Sequence, residues 1–432
     1  MSLLTRIPDD INAFAQHVLK HRCDVYIFGA DIAGKVLLKI LNEQGIHVNG
    51  FIDNNKNKCN DLIDEIQVLH AAEKLVEIDK NAVVLIASTY ISDIIRQLED
   101  IGLYNWVSIT NILRSKSKSY YYNLLTGDLR RNHSGGEFTP DFDIFVLENM
   151  MNSQEKYMDS SRLFIRSIDL ILTEKCSLKC KDCSNLMQYY ESPQNIGLVE
   201  LKADIDDICS VADEINEIRI IGGDPLMHKE FHQAVAYAAE KKNVNKVVIY
   251  TNGTIAPSEE KIAAISNSKV FVFITTYGTL SGRTLALRQS LEKYNIPHNC
   301  QPAYGWTDCA EIKNHNRTES ESESIFRNCC AKHFTTLTDG KIFRCPFSAN
   351  MERLAALPHH PDDYVNIRGA FLIDEVERRK VKANLWLFLR EKASIKACDF
   401  CNGRTYGDPE ITPGIQVKQP ISYIKFDRIP AS

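Results

Sequence analysis

SIDLILTEKCSLKCKDCSN, residues 167–185, joins a short apolar run to three closely spaced cysteines. The run SIDLILT has the length and apolar character of a buried β-strand. Cys176, Cys180 and Cys183 follow it in a CxxxCxxC pattern. A loop with this spacing can direct three thiolates at three irons of one [4Fe–4S] cluster, which leaves the fourth iron open to a substrate or cofactor. A structural zinc site or free thiols are the alternatives, although a zinc ribbon more often shows two CxxC pairs.

Strand and helix patterns alternate through the residues that follow the cysteines. EIRIIGG, KVVIYTNGT and KVFVFITTYG are each typical of a strand, and each ends in small or polar residues. In parallel α/β folds, functional residues gather at the carboxyl ends of the strands. The sequence therefore predicts a regular parallel (β/α) series whose functional edge carries the cysteines.

Three motifs in this order resemble the radical S-adenosylmethionine (SAM) superfamily. Its signature is CxxxCxxC after the first barrel strand, followed by a GGEP-like motif after the second strand and often TNG after the third. This chain has GGDP at 222–225 and TNG at 251–253, and the resemblance covers roughly residues 164–310. One position departs from the pattern. Many members carry an aromatic residue just before the third cysteine, near adenine, where this chain has Asp182.

The resemblance implies a central partial (β/α)6 barrel, a chemistry and the residues that support it. SAM would chelate the open iron, one electron would cleave its S–C5′ bond, and the 5′-deoxyadenosyl radical would abstract hydrogen from a substrate. Seven residues at the strand ends are expected to bind SAM: Gly222, Gly223, Asp224, Pro225, Thr251, Asn252 and Thr275.

Each of these residues also has a purely structural interpretation. The glycines would let the backbone approach the methionine moiety, since a Cβ atom would obstruct it. Asp224 is expected to accept a hydrogen bond from the SAM ammonium group, and the alternative is a carboxylate that caps the following helix. The three polar residues Thr251, Asn252 and Thr275 are expected at the ribose or carboxylate, with local turn hydrogen bonds as the alternative.

A second cysteine set occupies the C-terminal part of the chain: Cys329, Cys330, Cys345, Cys398 and Cys401. Together with the hairpin-like run HFTTLTDGKIFRCPF, turning at Asp339-Gly340, it resembles a SPASM or shorter twitch extension with an auxiliary [4Fe–4S] cluster. Neighbouring residues in an extended chain point in opposite directions, so only one of the adjacent pair is expected to bind. The sequence does not choose between them. A zinc site with four thiolates is the alternative.

Cys300 lies in HNCQPAYGW, the expected fifth strand of the barrel. In the resembled family, a cysteine near the active site sometimes returns a hydrogen atom to a substrate radical. Cys300 is the candidate for this catalytic role, and a buried inert thiol is the alternative.

The N-terminal region contains its own series of strands. DVYIFGA, VNGFID, AVVLIAS and WVSIT alternate with helical patterns and predict a Rossmann-like parallel sheet. Gly29, Asp31 and Gly34 stand in the frame of GxGxxG, but the charge of Asp31 would oppose a pyrophosphate. The region resembles the small Rossmann-like domain attached to sugar-modifying enzymes, in some of which it binds a nucleotide-sugar. Asp53 would then lie near the nucleotide; a domain without any ligand is the alternative.

The expected organisation has four parts: a Rossmann-like domain over 1–115, a linker over 116–160, the radical SAM barrel over 161–312 and the auxiliary cluster domain over 313–432. A net charge of −5 gives no indication of nucleic-acid binding. Neither a secretory signal nor a membrane-spanning stretch is evident, so the cytoplasm is expected. The 13 cysteines are then more consistent with metal ligation than with disulfides.

These features predict a radical SAM enzyme with two [4Fe–4S] clusters. The expected substrate is a carbohydrate or nucleotide-sugar that undergoes epimerisation, dehydration or dehydrogenation, and the expected partner is a reductant such as flavodoxin or ferredoxin. Maturation of a ribosomal peptide is the second interpretation. A non-enzymatic zinc-binding scaffold is the third.

Overall fold

A computed structural model describes residues 7–130, 140–157, 159, 161–405 and 407–427. The described chain divides into two units, the first ending at residue 162 and the second beginning at residue 163. Each unit has its own apolar cores.

The first unit is a Rossmann-like sheet, as the strand patterns predict. Its strands are β1 Val25–Phe28, β2 Gly50–Asp53, β3 Leu62–Ile63, β4 Ile66–His70, β5 Val83–Ile86 and β6 Trp106–Ser108. Its helices are α1 Ile11–His21, α2 Ile32–Glu43, α3 Ala71–Lys74, α4 Ile91–Asp100, α5 Thr110–Arg114, α6 Lys118–Thr126 and α7 Pro140–Tyr157. The strand order is β3-β4-β2-β1-β5-β6, and all pairs are parallel except β3 with β4.

The segment 116–160, expected as a linker, contains two helices. Helices α6 and α7 pack into the core of the first unit through residues such as Tyr121, Leu125 and Leu147. Gln154 in α7 is fully buried and donates from Nε2 to the backbone oxygens of Ile86 (2.6 Å) and Ser88 (3.0 Å). Several buried positions of α7 are polar, so the hydrophobic pattern that would reveal a packed helix is weak.

The second unit is built on one open sheet. Its strands are β7 Phe164–Ile165, β8 Ile168–Thr173, β9 Glu214–Gly222, β10 Val244–Thr251, β11 Val270–Thr276, β12 His298–Pro302, β13 Thr335–Thr338, β14 Lys341–Phe343 and β15 Tyr364–Asn366. Its helices are α8 Leu198–Val211, α9 Phe231–Ala239, α10 Glu259–Ala264, α11 Thr284–Lys293, α12 Glu319–Asn328, α13 Pro346–Arg353 and α14 Glu375–Glu391.

The sheet order is β12-β11-β10-β9-β8-β13-β14-β15, so the barrel is partial and not closed. Strands β8 to β12 follow one another in parallel, and β13 adds a sixth parallel strand on the outer side of β8. The predicted hairpin is confirmed: β13 and β14 are antiparallel, and the turn residues Asp339 and Gly340 have φ values of 54° and 70°. Two positive φ values are typical of a two-residue hairpin turn, for which Asp-Gly is a preferred sequence.

The two faces of this sheet differ in chemistry. Helices α8, α9 and α11 cover one face with a continuous apolar core. On the other face Arg219 pairs with Asp169 (3.1 Å) and lies over the Tyr250 ring, which stacks on Phe273. The carboxyl ends of the strands, where the predicted motifs lie, border this polar and aromatic face.

Candidate functional site

The loop that follows β8 presents Cys176, Cys180 and Cys183 close to one another. The Cys183 N–H donates to the Cys180 carbonyl (3.4 Å), and the Leu186 N–H donates to the Cys183 carbonyl (2.8 Å). Leu186 has a φ of 61°, a left-handed conformation that turns the chain back after the third cysteine. The loop is therefore tightly wound around its three thiols.

Burial governs the ionisation of these thiols. It raises the pKa of Cys176 and Cys180, and it raises the pKa of Cys183 to about 11. Thiols in such surroundings stay protonated at neutral pH unless a cation offsets the thiolate charge, as coordinated iron does.

The donor set fits an iron–sulfur cluster. Among the described residues, no three His, Cys, Asp or Glu side chains are gathered closely enough to hold one metal ion. A [4Fe–4S] cluster instead takes each thiolate on a different iron, so its ligands surround a cluster and do not converge on a point. The residues present thus suit a cluster held by Cys176, Cys180 and Cys183.

Gly222 and Gly223 lie directly against the cysteine loop. A Cβ atom on Gly222 would come within 2.2 Å of the Thr173 oxygen, and one on Gly223 within 2.2 Å of the Lys175 oxygen. The Gly223 N–H donates to the Thr173 oxygen (2.8 Å). The close approach that requires glycine is therefore between two segments of the protein chain, whereas the sequence interpretation attributed it to the methionine moiety of SAM.

Asp224 joins the GGDP loop to the loop after β10. Its Oδ1 accepts from the Leu226 N–H (2.9 Å), which caps a short 3₁₀ helix that begins at Pro225. Its Oδ2 accepts from the Thr251 hydroxyl (2.8 Å) and the Asn252 N–H (3.0 Å). Asp224 is 1% exposed, and burial raises its pKa. This geometry favours the capping interpretation over a direct bond to a ligand ammonium group.

Asn252 reaches the cysteine loop from the other side. Its Nδ2 donates to the Cys176 Sγ (3.6 Å) and to the Ser177 hydroxyl (3.1 Å), while its Oδ1 accepts from the Thr254 N–H (3.0 Å). Thr275 is half-buried on β11, in register with Gln301 of β12. Of the predicted strand-end residues, Asn252 thus contacts a cysteine directly, and Gly223 lies against Cys176.

Tyr277 lies beside the same cysteines, and the sequence interpretation did not select it. Burial raises its pKa, and the charges of Cys180, Cys183 and Cys176 act on it in the same direction. Its ring meets Trp306 edge to face at 6.0 Å. The available signal was its place directly after the strand VFVFITT, where functional residues of parallel folds gather.

The C-terminal segment 408–426, here called the C-terminal strap, runs across the cysteine loop. The Lys181 N–H donates to the Ile415 oxygen (2.7 Å), and the Val417 N–H donates to the Lys179 oxygen (2.8 Å). Between these bonds, the Gln416 Nε2 donates to the Cys180 Sγ (3.2 Å). The strap has no hydrophobic periodicity that would predict this contact.

Cysteines of the second set also lie near one another, and Cys329 and Cys330 have different neighbours. Burial raises the pKa of Cys398 and Cys401, and the charges of Cys345 and Cys329 add to this effect on both. Cys330 instead faces Arg404 and Cys309. The arrangement groups Cys329 with Cys345, Cys398 and Cys401 as the four candidate ligands.

Cys300 occupies a different environment from the one proposed for a hydrogen donor. It is 8% exposed, and it belongs to the apolar core that includes Ile274 and Leu287. Since side chains alternate along a strand, Cys300 points away from the face that carries its neighbour Asn299. The structure favours the inert-thiol interpretation.

At the carboxyl ends of β1 and β2, Lys58 lies between two carboxylates. Its Nζ is 2.5 Å from Asp31 Oδ2 and 3.5 Å from Asp53 Oδ2, which also accepts from the Ala30 N–H (3.0 Å). Burial lowers the pKa of Lys58, but the two aspartates outweigh it and the net shift is upward. The Asp31 charge is thus partly neutralised, which weakens the argument that it repels a phosphate.

The second unit has the architecture of an iron–sulfur SAM-binding domain. It combines five parallel strands, a three-cysteine loop after the first of them, and the GGDP and TNG loops at the same edge. Residues 170–278 match the family model of the radical SAM superfamily, so the chain carries a radical SAM domain. That superfamily binds a [4Fe–4S] cluster and SAM.

Two curated relatives each match about a third of the chain. Fe-coproporphyrin III synthase of Methanosarcina barkeri is 30% identical over 133 residues, which cover 30% of this chain and 32% of that protein. GTP 3',8-cyclase of Syntrophomonas wolfei is 29% identical over 153 residues, which cover 31% of this chain and 45% of that protein. The chain thus spans less than half the length of these enzymes.

Solved structures show weaker similarity. BtrN in complex with AdoMet and 2-DOIA is 15% identical, covers 56% of this chain and 94% of its own, and gives a TM-score of 0.36. Streptococcus suis SuiB bound to the precursor peptide SuiA is 13% identical, covers 67% of this chain and 84% of its own, and gives a TM-score of 0.26.

In the part of the chain that the structure describes, no helix is both long and apolar enough to cross a membrane.

Proposed function

We propose that this chain is a radical SAM enzyme whose catalytic [4Fe–4S] cluster is held by Cys176, Cys180 and Cys183. The observation that carries the proposal is the tightly wound three-cysteine loop at the carboxyl edge of a parallel sheet, within residues that match the superfamily model. When bound, the cluster and SAM supply a 5′-deoxyadenosyl radical that abstracts hydrogen from the substrate.

The chain's own residues hold this site in shape. Gly223 and Asp224 fix the cysteine loop by backbone bonds to Thr173 (2.8 Å) and Lys175 (2.9 Å). Asp224 holds the loop that bears Asn252. We assign the SAM contacts to the exposed surface of these loops, with Asp224 as a positioning residue.

We further propose an auxiliary [4Fe–4S] cluster on Cys329, Cys345, Cys398 and Cys401. Arg317 supports this assignment, because its guanidinium donates to the backbone oxygens of Cys398 (2.6 Å) and Cys401 (2.7 Å) and so fixes the CxxC turn. Four thiolates leave no open iron, so the role assigned to this cluster is electron transfer from a reductant such as flavodoxin or ferredoxin.

The proposed substrate is a carbohydrate or nucleotide-sugar. Tyr277, Trp306, Thr275 and Gln301 lie at the carboxyl ends of β11 and β12, and all four side chains are uncharged. Aromatic rings with a few amide and hydroxyl groups suit a neutral, hydroxyl-rich ligand. The Rossmann-like first unit supports the same class, with Asp53 at the end of β2 as the expected contact for a nucleotide.

The experiment uses anaerobically reconstituted protein. Wild type should contain about eight irons, according to the two four-iron clusters proposed, and should convert SAM to 5′-deoxyadenosine after reduction. The triple variant C176A/C180A/C183A should keep about half of that iron and form no 5′-deoxyadenosine. Zinc without iron or acid-labile sulfide in wild type, or persistent 5′-deoxyadenosine in the variant, would contradict the proposal.

The substrate class is tested separately. Nucleotide-sugars with deuterium on the sugar ring carbons should transfer deuterium to 5′-deoxyadenosine, which mass spectrometry detects. Transfer from a peptide substrate with none from any sugar would assign the enzyme to peptide maturation instead.

A further inference from the structure

Gln416 in the C-terminal strap makes a complete set of hydrogen bonds at the cysteine loop. Its Oε1 accepts from the Lys179 N–H (2.7 Å). Its Nε2 donates to the Gly414 oxygen (2.8 Å) and to the Cys180 Sγ (3.2 Å). A primary amide has two N–H donors, so both are accounted for.

These contacts fix the orientation of the amide. If the amide were turned over, Nε2 would face the Lys179 N–H and Oε1 would face the Gly414 carbonyl, so two bonds would become repulsive contacts. The N–H group must therefore point at the sulfur. The backbone bridge between Cys180 and Gln416, which flanks this contact on both sides, keeps the strap in register with the loop.

We infer that Gln416 is a positioning residue that sets the reduction potential of the catalytic cluster through an N–H···S bond to Cys180, an inference that rests on the proposed function. Hydrogen bonds to the sulfurs are one of the factors that set the potential of an iron–sulfur cluster. A donor stabilises the more negatively charged reduced state, so it makes the cluster easier to reduce.

The donor comes from a distant part of the sequence, 236 residues beyond the cysteine that it contacts. Asn252 supplies a comparable but longer N–H···S bond to Cys176 (3.6 Å) from within the radical SAM domain. The potential of the catalytic cluster consequently depends on a docked C-terminal strap, and a displaced strap makes the cluster harder to reduce.

The test compares Gln416→Leu, Gln416→Glu and the control Gln419→Leu in reconstituted full-length protein. Gln416 and Gln419 are both exposed strap residues, so neither leucine leaves a cavity. Redox titration is followed by the EPR signal of the reduced cluster that shifts on addition of SAM.

At the wild-type midpoint potential, Gln416→Leu should lower the ratio of reduced to oxidised cluster at least threefold. This threefold change corresponds to a midpoint potential about 28 mV lower, at 59 mV per tenfold change for a one-electron couple. Gln416→Glu should shift the ratio in the same direction and further, because it adds a negative charge beside the sulfur. Gln419→Leu should match wild type.

Equal potentials for wild type and both Gln416 variants would overturn the inference while leaving the proposed function intact. A shift in Gln419→Leu equal to that in Gln416→Leu would also overturn it, because the effect would then belong to the strap and not to the amide. A wild-type protein with no iron–sulfur cluster would end the proposed function and this inference together. If Gln416→Leu fails to retain iron, the redox titration of Gln416→Glu decides the question. An unchanged Fe–S(Cys) stretching frequency in resonance Raman spectra of Gln416→Glu would count against the N–H···S bond.

Discussion

Asp169 is a buried carboxylate on the polar face of the second unit's sheet. It is 2% exposed, and burial raises its pKa to about 6 even though the Arg219 guanidinium lies 3.1 Å away and opposes the shift. Because the folded state prefers the protonated form, this group contributes stability that is present below pH ~4 and is lost as the pH rises through about 6.

Asp169→Asn should remove this dependence. Relative to the variant, the wild type should lose on the order of 2–3 kcal/mol of unfolding free energy between pH 4 and pH 7. Urea titrations of both proteins across this range measure the difference. A difference that does not change with pH would show that Asp169 titrates normally.

Asp224 joins two loops of the proposed site through its carboxylate. Its carboxylate accepts three hydrogen bonds from two loops. In Asp224→Asn, an NH₂ group replaces one carboxylate oxygen. The donors that bonded to that oxygen then have no acceptor, because an amide has only one acceptor oxygen.

Asp224→Asn should therefore lower the unfolding free energy by about 1–3 kcal/mol, and it should reduce the cluster content, since the loop bearing Asn252 loses its support. Denaturant unfolding and iron analysis check both effects. If Asp224 instead served only a ligand ammonium group, the stability of the ligand-free protein would not change.

At the scale of elements, the pairing of the GGDP loop with the cysteine loop depends on glycine. Gly223→Ala places a Cβ atom within 2.2 Å of the Lys175 oxygen and 2.8 Å of the Cys176 Cβ, so the cysteine loop must move. We expect a cost of about 1–3 kcal/mol and a marked loss of reconstituted iron.

Gly282→Ala is the matched control, because a Cβ atom there has no neighbour closer than 3.9 Å. It should retain wild-type iron and stability. Normal iron content in Gly223→Ala would mean that the two loops do not need their close contact.

The strands were easier to anticipate than the helices between them. Short apolar runs such as VVIY and VFVFIT predict buried strands directly, and all four N-terminal strands expected are present. Helix α12 shows the opposite case: its region, KNHNRTESESES, is polar and suggests a loop. Thr318 and Glu321 nevertheless form a capping box that begins the helix.

At the scale of the whole molecule, each unit encloses separate apolar cores. All seven proposed cluster ligands lie in the second unit. Cluster binding should therefore stabilise the second unit and leave the first unchanged.

Calorimetry of wild type and C176A/C180A/C183A should show one transition that moves and one that does not. Each kcal/mol lost should lower the melting temperature of the second unit by about 2–4 °C, while the first unit's transition stays within about 1 °C. Hydrogen exchange assigns the transitions to the units. Equal shifts of both transitions would show that they unfold as one body.

The cysteine spacings, the glycine loops and the hairpin turn were accessible from the sequence because each is a local pattern with a local physical cause. Three other features were not accessible from the sequence: the choice of Cys329 over Cys330, the contact between Gln416 and Cys180, and the packing of Gln154. These depend on which distant segments meet, and neither hydrophobic period nor turn chemistry encodes that.

The placement of β13 beside β8 has a consequence for the distance between the two cysteine sets. Strand β8 leads into Cys176, and β13 leads through its hairpin to Cys345, with Thr335 opposite Ile168 and Leu337 opposite Leu170. Main-chain pairing therefore links the starting points of both sets, and a slip of one residue would displace them by about 3.3 Å. Electron tunnelling between the two proposed clusters should consequently be sensitive to the register of β8 and β13, because this register helps to set the separation of Cys176 from Cys345.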